Sequence, residues 1–458
     1  MNIDWIRNGT DEKNTRSSEL YKVIPELYTC LITSDFTVVY SPFLPGSVVL
    51  NTHAINCLQE FDIPRPLEKP THHDLAKGGL LVPIKHDLRQ IEEKQNFIDM
   101  RDVLYVWLHI TNACNLDCSY CCLATSNIHM SKETGLKTVQ AVFQAAEDNG
   151  FRTVLLKYAG GEPTLRFELI QYLHEYANKL ASEKALDLRA VVLSNGTIWT
   201  RDMVHWLIDS NVGLVISLDG VGEDHDLQRP TKNGQGTFRK IEQNIDNIIV
   251  PSGIRPHITI TITGRNAHAV TDAVAWAIER ELPFRLNFYR EIDSSPKYKL
   301  NIFEERQIIE GLRKAYQFIR KQLLERPVYL EQLLDSVLLK AHKYPCAAGQ
   351  SYLVFTHTGQ LAQCPWDLVN SKNVTTSNDP LQTITHGEIP VIGVDDKEEC
   401  KDCIWRYRCA GGCPKETHRV TGRYDVKSPH CNIYKALLPE VLRLEGLRLL
   451  KTAGYLSN

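Results

Sequence analysis

Residues 103–122 read VLYVWLHITNACNLDCSYCC, a β-branched and apolar run that ends in Cys114, Cys118 and Cys121, with Cys122 adjacent. The first nine residues have strand character, and a strand opening into a loop of thiols places metal-binding chemistry at its C-terminal end. Working outward, five more such runs follow: TVLLKYA from Thr153, LRAVVLS from Leu188, GLVISLD from Gly213, HITITIT from His257 and FRLNFYR from Phe284. Helix-period segments separate them. In the first, Leu136, Val139, Val142, Phe143 and Ala146 share one helical face and Asp148-Asn149-Gly150 supplies a stop. RDMVHWLIDS and TFRKIEQNIDNII fill later gaps. The alternation from about Val103 to Arg290 predicts an α/β fold whose six βα units curve into a partial (β/α)6 barrel.

Active sites on such a barrel lie at the C-terminal ends of the strands. The unusual residues fall there. Strand one runs into the three cysteines, strand two into Gly160-Gly161-Glu162-Pro163, strand three into Ser194-Asn195-Gly196 and strand four into Ser217-Leu218-Asp219-Gly220. One mouth gathers them all.

The chain has 458 residues, 43% hydrophobic and 23% charged, which fits a soluble globular protein of two or three domains. With 52 basic against 55 acidic residues the net charge is -3, so the footprint of a nucleic-acid binder is missing. No apolar run reaches the roughly 20 residues of a membrane span, and the N-terminal MNIDWIRNGTDEKNTRSS is polar, so a cytoplasmic protein is expected. Thirteen cysteines, clustered in two places, point in that compartment to metal binding ahead of disulfides. Four domains are read: 1–100, a small α+β N-terminal domain with strand-like YTCLIT, FTVVYSPF and SVVLN; 101–300, the barrel; 301–340, a helical bridge over EERQIIEGLRKAYQFIRKQLLER; and 341–458, cysteine-rich.

Three thiolates at C-x3-C-x2-C are one short of the four that close an iron-sulfur or structural zinc site, so one metal is left open to an exogenous ligand. A zinc knuckle completed by a distant residue is the plainer alternative. The C-terminal cysteines run Cys346-x17-Cys364, then Cys400-x2-Cys403-x5-Cys409-x3-Cys413-x17-Cys431. Seven thiolates do not divide into two four-ligand zinc sites. Cys30, Cys57 and Cys122 read as small apolar residues, Cys122 lying close to the first thiol loop.

C-x3-C-x2-C with Tyr120 before its last cysteine, followed one βα unit later by GGEP, resembles the radical SAM superfamily over about 190 residues. The resemblance implies that Cys114, Cys118 and Cys121 hold a 4Fe-4S cluster whose open iron binds S-adenosylmethionine. Reductive cleavage of that cofactor would give a 5′-deoxyadenosyl radical that abstracts hydrogen. It further implies that Gly160, Gly161 and Glu162 meet the methionyl amine, and that Asn195 and Ser217 lie near the ribose and carboxylate. Arg229 is either a carboxylate partner or a solvated loop arginine. The C-terminal spacing resembles the SPASM extension, which implies two auxiliary 4Fe-4S clusters. Cys400, Cys403, Cys409 and Cys431 would hold the outer one, and Cys346, Cys364 and Cys413 the inner one. The fourth inner ligand is open: His342, His357, or none.

Enzymes with this pair of domains mostly modify peptides and proteins. Residues from about Leu20 to Lys94 resemble the PqqD-like leader-recognition domain, which implies a precursor peptide whose leader adds to an exposed sheet edge; a cover for the barrel is the alternative. The expected activity is crosslinking of a ribosomal precursor, thioether or carbon-carbon, with a reductant such as flavodoxin or ferredoxin. The anaerobic sulfatase maturase is a rival, although its Asp directly after the cysteine matching Cys364 is replaced here by Pro365, with Asp367 two residues on. A cluster or zinc scaffold without catalysis is a rival of another class.

Overall fold

The computed structural model describes residues 19–85, 97–99, 102–290, 305–326, 328–373 and 379–456. The N-terminal MNIDWIRNGTDEKNTRSS, and residues 86–94 of the expected N-terminal domain, lie outside them. Five short strands precede the barrel: β1 (Tyr21–Val23), β2 (Tyr28–Leu31), β3 (Phe36–Tyr40), β4 (Val48–Asn51) and β5 (Leu81–Pro83). β2, β3 and β4 pair antiparallel, as the three apolar runs suggest, and β1 pairs with β5. Helix Thr52–Gln59 starts where the Asn51 side chain accepts the Ala54 N–H at 2.8 Å. With helix Pro70–Lys77 it closes a small core around Phe61, Leu58, Leu75 and Leu81.

The six expected strands are β6 (Val103–Thr111), β7 (Thr153–Gly160), β8 (Asp187–Ser194), β9 (Val212–Ser217), β10 (His257–Ile262) and β11 (Phe284–Phe288), all parallel. Alternation assigns their faces. Leu104, Val106, Leu108 and Ile110 of β6 and Val154, Leu156 and Tyr158 of β7 are fully buried, packed with Val139, Val142 and Phe143 of helix Lys132–Asp148. The Tyr158 hydroxyl and His174 of helix Phe167–Glu183 lie 3.1 Å apart. Tyr105, Trp107, His109, Leu155, Lys157 and Ala159 therefore face the barrel interior.

The sheet is longer than six strands. β12 (Leu330–Gln332) joins the β11 edge, while β13 (Tyr352–Phe355) pairs parallel with β6 and carries β14 (Leu361–Ala362) outside it. Both edges that six units would leave bare are thus covered by chain from the bridge and the cysteine-rich region. The sheet also curls. Tyr352 on β13 and Arg285 on β11 feel each other's charge, although six strand positions would separate them by about 29 Å in a flat sheet at about 4.8 Å per strand.

Helix Glu305–Glu325, the expected bridge, packs on helices Val270–Glu279 and Cys431–Thr452 as a full layer of the core. Its Gly311 leaves no space for a side chain, since a Cβ there would stand 1.9 Å from the Ala267 carbonyl oxygen. The N-terminal unit docks on the cysteine-rich region. Tyr40 stacks on Trp405 at 5.3 Å, Arg406 pairs with Glu26 at 2.6 Å, and Arg408 donates to Ser47 at 2.9 Å. Among the described residues no helix is long and apolar enough to cross a membrane.

Gly311→Ala is expected to destabilise the chain by about 1–3 kcal/mol, the usual cost of overpacking a closed contact. Anaerobic denaturant unfolding checks this; an unchanged midpoint would mean that the helix slides away freely.

Candidate active site

The thiol loop between β6 and helix Lys132–Asp148 is clamped from three sides. Its own return supports it, with Asn112 N donating to Ile128 O at 2.9 Å and Asn112 Nδ2 to Ala124 O at 2.7 Å. The 228–231 segment supports it through Ser119 N to Gln228 O and Asp117 N to Pro230 O, both 2.9 Å. The end of β7 supports it through Gly161 N to Thr111 O and Glu162 N to Ala113 O, both 2.8 Å. That last contact explains two glycines: a Cβ on Gly160 would lie 2.3 Å from Thr111 O, and one on Gly161 2.3 Å from Ala113 O. Held in this way, the thiols of Cys114, Cys118 and Cys121 lie within electrostatic reach of one another. Burial pushes all three up, Cys118 to about 12.

Glu162 is fully buried, and among the described residues it has no ion-pair partner. Its Oε1 accepts from Thr164 N at 3.1 Å, Thr164 Oγ1 at 2.6 Å and Ser194 Oγ at 2.9 Å, and its Oε2 accepts from Asn195 N at 2.7 Å. Burial raises its pKa and these donors oppose the rise. The carboxylate therefore ties the end of β7 to the end of β8. Asn195 extends the tie to the thiol loop: its Nδ2 donates to Asn115 Oδ1 at 2.8 Å and lies 4.0 Å from Cys114 Sγ.

Arg229 is not a solvated loop arginine. It is 8% exposed, and its Nη1 reaches Tyr120 OH and, at 3.4 Å, Asp219 Oδ2. The Tyr120 hydroxyl donates to the same carboxylate, whose Oδ1 accepts Thr261 N at 2.8 Å. Asp219 is fixed further by Asn266 Nδ2 on its carbonyl at 2.7 Å and by its own N–H, which donates to His225 Nδ1 at 3.2 Å. That bond leaves the proton of His225 on Nε2, facing Thr237 at 3.1 Å, and burial holds the ring neutral at about 3. In the sequence Asp219 is part of a strand-end motif; its role as the anchor for Tyr120 and Arg229 depends on residues far apart in the chain. Ser217 ends β9 two residues earlier, and among the described residues no bond ties it to the thiol loop.

The C-terminal thiols form two groups. Cys400, Cys403, Cys409 and Cys431 line one cavity of about 370 Å³ that includes space open to solvent. Cys346, Cys364 and Cys413 act on one another electrostatically. The split between Cys409 and Cys413 has a local cause: Ala410, Gly411 and Gly412 take φ of 44°, 76° and 69°, three left-handed residues in a row that reverse the chain. The Lys397 ammonium, fully buried, donates to Ala410 O at 3.2 Å and lies within reach of Cys400, Cys409, Cys346 and Cys413. His357 stands against His109 at 5.7 Å between rings, and His342 is turned toward Lys340 O at 3.2 Å. Asp367 is buried in an ion pair with Lys415 at 2.6 Å.

Two cysteines outside these groups are more than apolar filler. Arg443 donates to Cys30 Sγ at 3.1 Å. Cys57 lies with Glu60 and His72 in a cluster of metal-ligand types, yet His72 Nδ1 already accepts Glu68 N at 3.2 Å and Lys69 N at 3.4 Å. Its proton is therefore on Nε2, 3.3 Å from Glu60, where a metal would need a lone pair. Glu60 also carries Lys69 and Arg65, and the cluster is a salt-bridge knot.

Residues 108–277 match the family described as the Radical SAM superfamily. A cysteine-type anaerobic sulfatase-maturating enzyme of Clostridium perfringens is 23% identical over 325 residues, 66% of this chain and 86% of its own length. The AdoMet-dependent heme synthase of Nitratidesulfovibrio vulgaris is 26% identical over 361 residues, 72% and 92% of the two chains. The sporulation killing factor maturation protein SkfB of Bacillus subtilis is 31% identical over 173 residues, 36% and 38%. Among solved structures, native anSMEcpe with bound AdoMet superposes with a TM-score of 0.63 at 18% identity, covering 78% of this chain and 100% of that one. Streptococcus suis SuiB bound to precursor peptide SuiA superposes at 0.53 with 15% identity, covering 90% and 99%. These likenesses are of fold.

Two outcomes follow from the buried charges and donors. Glu162→Gln puts an NH2 among groups that all donate, and a loss of about 1–3 kcal/mol is expected in anaerobic thermal unfolding. Lys157, on the inner face of β7, is held down to about 8 from 10.5 by burial and by the Arg285 charge. Between about 8 and 10.5 the folded chain has shed that proton while the unfolded chain still keeps it, so stability rises with pH across the window and the full penalty applies below it. Lys157→Met is expected to raise stability at pH 7 by up to about 3 kcal/mol and to flatten that rise; equal slopes for both proteins would contradict it.

Proposed function

From the premise that the chain carries a radical SAM domain and resembles peptide maturases, we propose that it cleaves S-adenosylmethionine reductively and abstracts hydrogen from a ribosomal precursor peptide to form a thioether or carbon-carbon crosslink. The observation that carries the reading is the convergence of Cys114, Cys118 and Cys121 at the barrel mouth beside Gly160-Gly161-Glu162.

In this reading those three cysteines hold a 4Fe-4S cluster. The donor set fits it: Arg229 lies within reach of all three thiols, and its Nε is buried with no partner among the described residues, a cation beside a site that becomes anionic when thiolates bind iron. The bound cluster and S-adenosylmethionine together would supply the one-electron cleavage and the hydrogen-abstracting radical. The chain's own part is positional. The backbone of Gly160 and Gly161 presents the strand end to the methionyl group, and Glu162 acts by holding that end to Asn195, since its carboxylate is already used by Thr164, Ser194 and Asn195. Asn195 and Ser217, at the ends of the next two strands, would lie near the ribose and carboxylate of the cofactor. Tyr120, between Asp219 and Arg229, sets the turn of the thiol loop.

Cys400, Cys403, Cys409 and Cys431 are assigned to the outer auxiliary cluster and Cys346, Cys364 and Cys413 to the inner one, in keeping with the two groups the fold assembles. The N-terminal unit, with its β2-β3-β4 sheet, is assigned to the leader of the precursor by strand addition, and a flavodoxin or ferredoxin is the expected reductant. The sulfatase-type alternative is weakened by Pro365 in the position of its base and by the Lys415 pair that occupies Asp367.

Anaerobic co-expression with the precursor, read by mass spectrometry, is expected to show a loss of two hydrogens per modification, absent in Cys114→Ala. An unchanged precursor mass with 5′-deoxyadenosine still released would refute crosslinking but keep the radical chemistry. Cys409→Ala is expected to lower iron by the content of one cluster and to reduce product more than cofactor cleavage; equal loss of both would mean collapse of the region.

A further inference from the structure

The inner wall of β6 and β7 holds polar groups that the mouth does not use. Trp107 and Lys157 are register partners on adjacent parallel strands and face inward side by side. Trp107 Nε1 is buried with no partner among the described residues. His109, one layer nearer the mouth and 2% exposed, has its Nδ1 buried with no partner among the described residues. Its state is readable from Asn112: the Nδ2 of Asn112 donates to Ala124 O, so its Oδ1, 3.2 Å from His109 Nε2, must accept. His109 therefore carries its proton on Nε2 and turns a bare Nδ1 lone pair inward.

Lys157 has no carboxylate within salt-bridge range among the described residues. Its ammonium lies 4.8 Å from the Tyr352 ring and 5.3 Å from the Tyr105 ring, while Arg285, tied to Thr259 at 2.9 Å, is near enough to repel it. Arg285 has the Glu331 carboxylate within electrostatic reach, whereas Lys157 has only aromatic faces and a repelling cation; with an unpartnered indole N–H on the register-paired residue of the next strand, this wall is one that an anion would relieve.

We infer that Trp107 and Lys157, with His109 above them, form a substrate subsite for a carboxylate, an Asp or Glu side chain of the peptide. The carboxylate takes hydrogen bonds from the Lys157 ammonium and the Trp107 N–H, with Arg285 as a second positive charge. The His109 Nδ1 accepts a backbone N–H of the same segment. Lys157 is in this role a specificity residue and takes no part in bond breaking. The inference rests on the reading of the chain as a peptide-modifying enzyme, since it assigns that enzyme's substrate side chain.

The test is isothermal titration of the anaerobically reconstituted holoenzyme, with S-adenosylmethionine present, using N-acetylglutamate methylamide and its glutamine counterpart as probes. The glutamate probe is expected to bind about tenfold or more tightly than the glutamine probe, as a charge-assisted hydrogen bond requires. Lys157→Met is expected to remove that preference and Lys157→Arg to retain most of it, each variant checked for unchanged iron content. Equal affinity for the two probes, no binding of either, or a preference that survives Lys157→Met would overturn the subsite; the last two would leave Lys157 as a cation packed on the Tyr105 and Tyr352 rings. Release of 5′-deoxyadenosine by the same wild-type preparation with dithionite tests the underlying reading separately: release without probe binding defeats the subsite alone.

Discussion

The site depends on two backbones that touch. Thr111–Ala113 and Gly160–Glu162 approach so closely that either glycine's Cβ would sit 2.3 Å from a carbonyl oxygen, and the hydrogen bonds across that contact are 2.8 Å long. Such an approach is open only to residues without a side chain. Once made, it sets the base of the thiol loop against the end of β7, and the buried Glu162 carries the constraint onward to Ser194 and Asn195 of the next strand. Loosening this contact would release the thiols from one another, whatever they bind.

A second constraint is charge. The thiol groups in this fold are accompanied by buried cations: Arg229 at the mouth, and Lys397 between the two C-terminal groups. Buried cations are costly without partners; among the described residues Arg229 has the Asp219 carboxylate and the Tyr120 hydroxyl, and Lys397 has a backbone carbonyl. The thiols of Cys118 and Cys364 are pushed up by burial, a state that favours neutrality until a metal takes the proton's place. Protein charge and thiolate charge are therefore complementary, and the protein alone carries only half of the pair.

The third feature is continuity. The cysteine-rich region adds β13 and β14 to the barrel sheet, the bridge adds β12, and the N-terminal unit leans on Trp405, Arg406 and Arg408, which lie between Cys403 and Cys409. A movement of the N-terminal unit is thus mechanically connected to the outer thiol group. The interior of the barrel, lined by Lys157 and Tyr352, borders the inner group, because Tyr352 feels the charge of Cys346 and Cys364.

How far the sequence reached is seen strand by strand. The period-two runs and the helical face of Leu136, Val139, Val142, Phe143 and Ala146 are local properties, so six strands and their order were legible, as were the helix stop at Gly150 and the three cysteines at the end of the first strand. The spacing of Cys409 and Cys413 was legible too, but not the left-handed reversal that sends them to different groups. What was hidden has one physical origin: it depends on partners distant in the chain. Arg229 reads as a carboxylate partner or a solvated loop arginine until Asp219 and Tyr120 surround it, and Cys57 reads as a small apolar residue until the fold brings it beside Glu60 and His72. Composition and periodicity determined the elements and the chemistry of the thiols; which polar group meets which, and so which charges are left facing the barrel interior, was decided only by tertiary packing, because hydrogen-bond partners are chosen by proximity in space and burial makes each unmade choice costly.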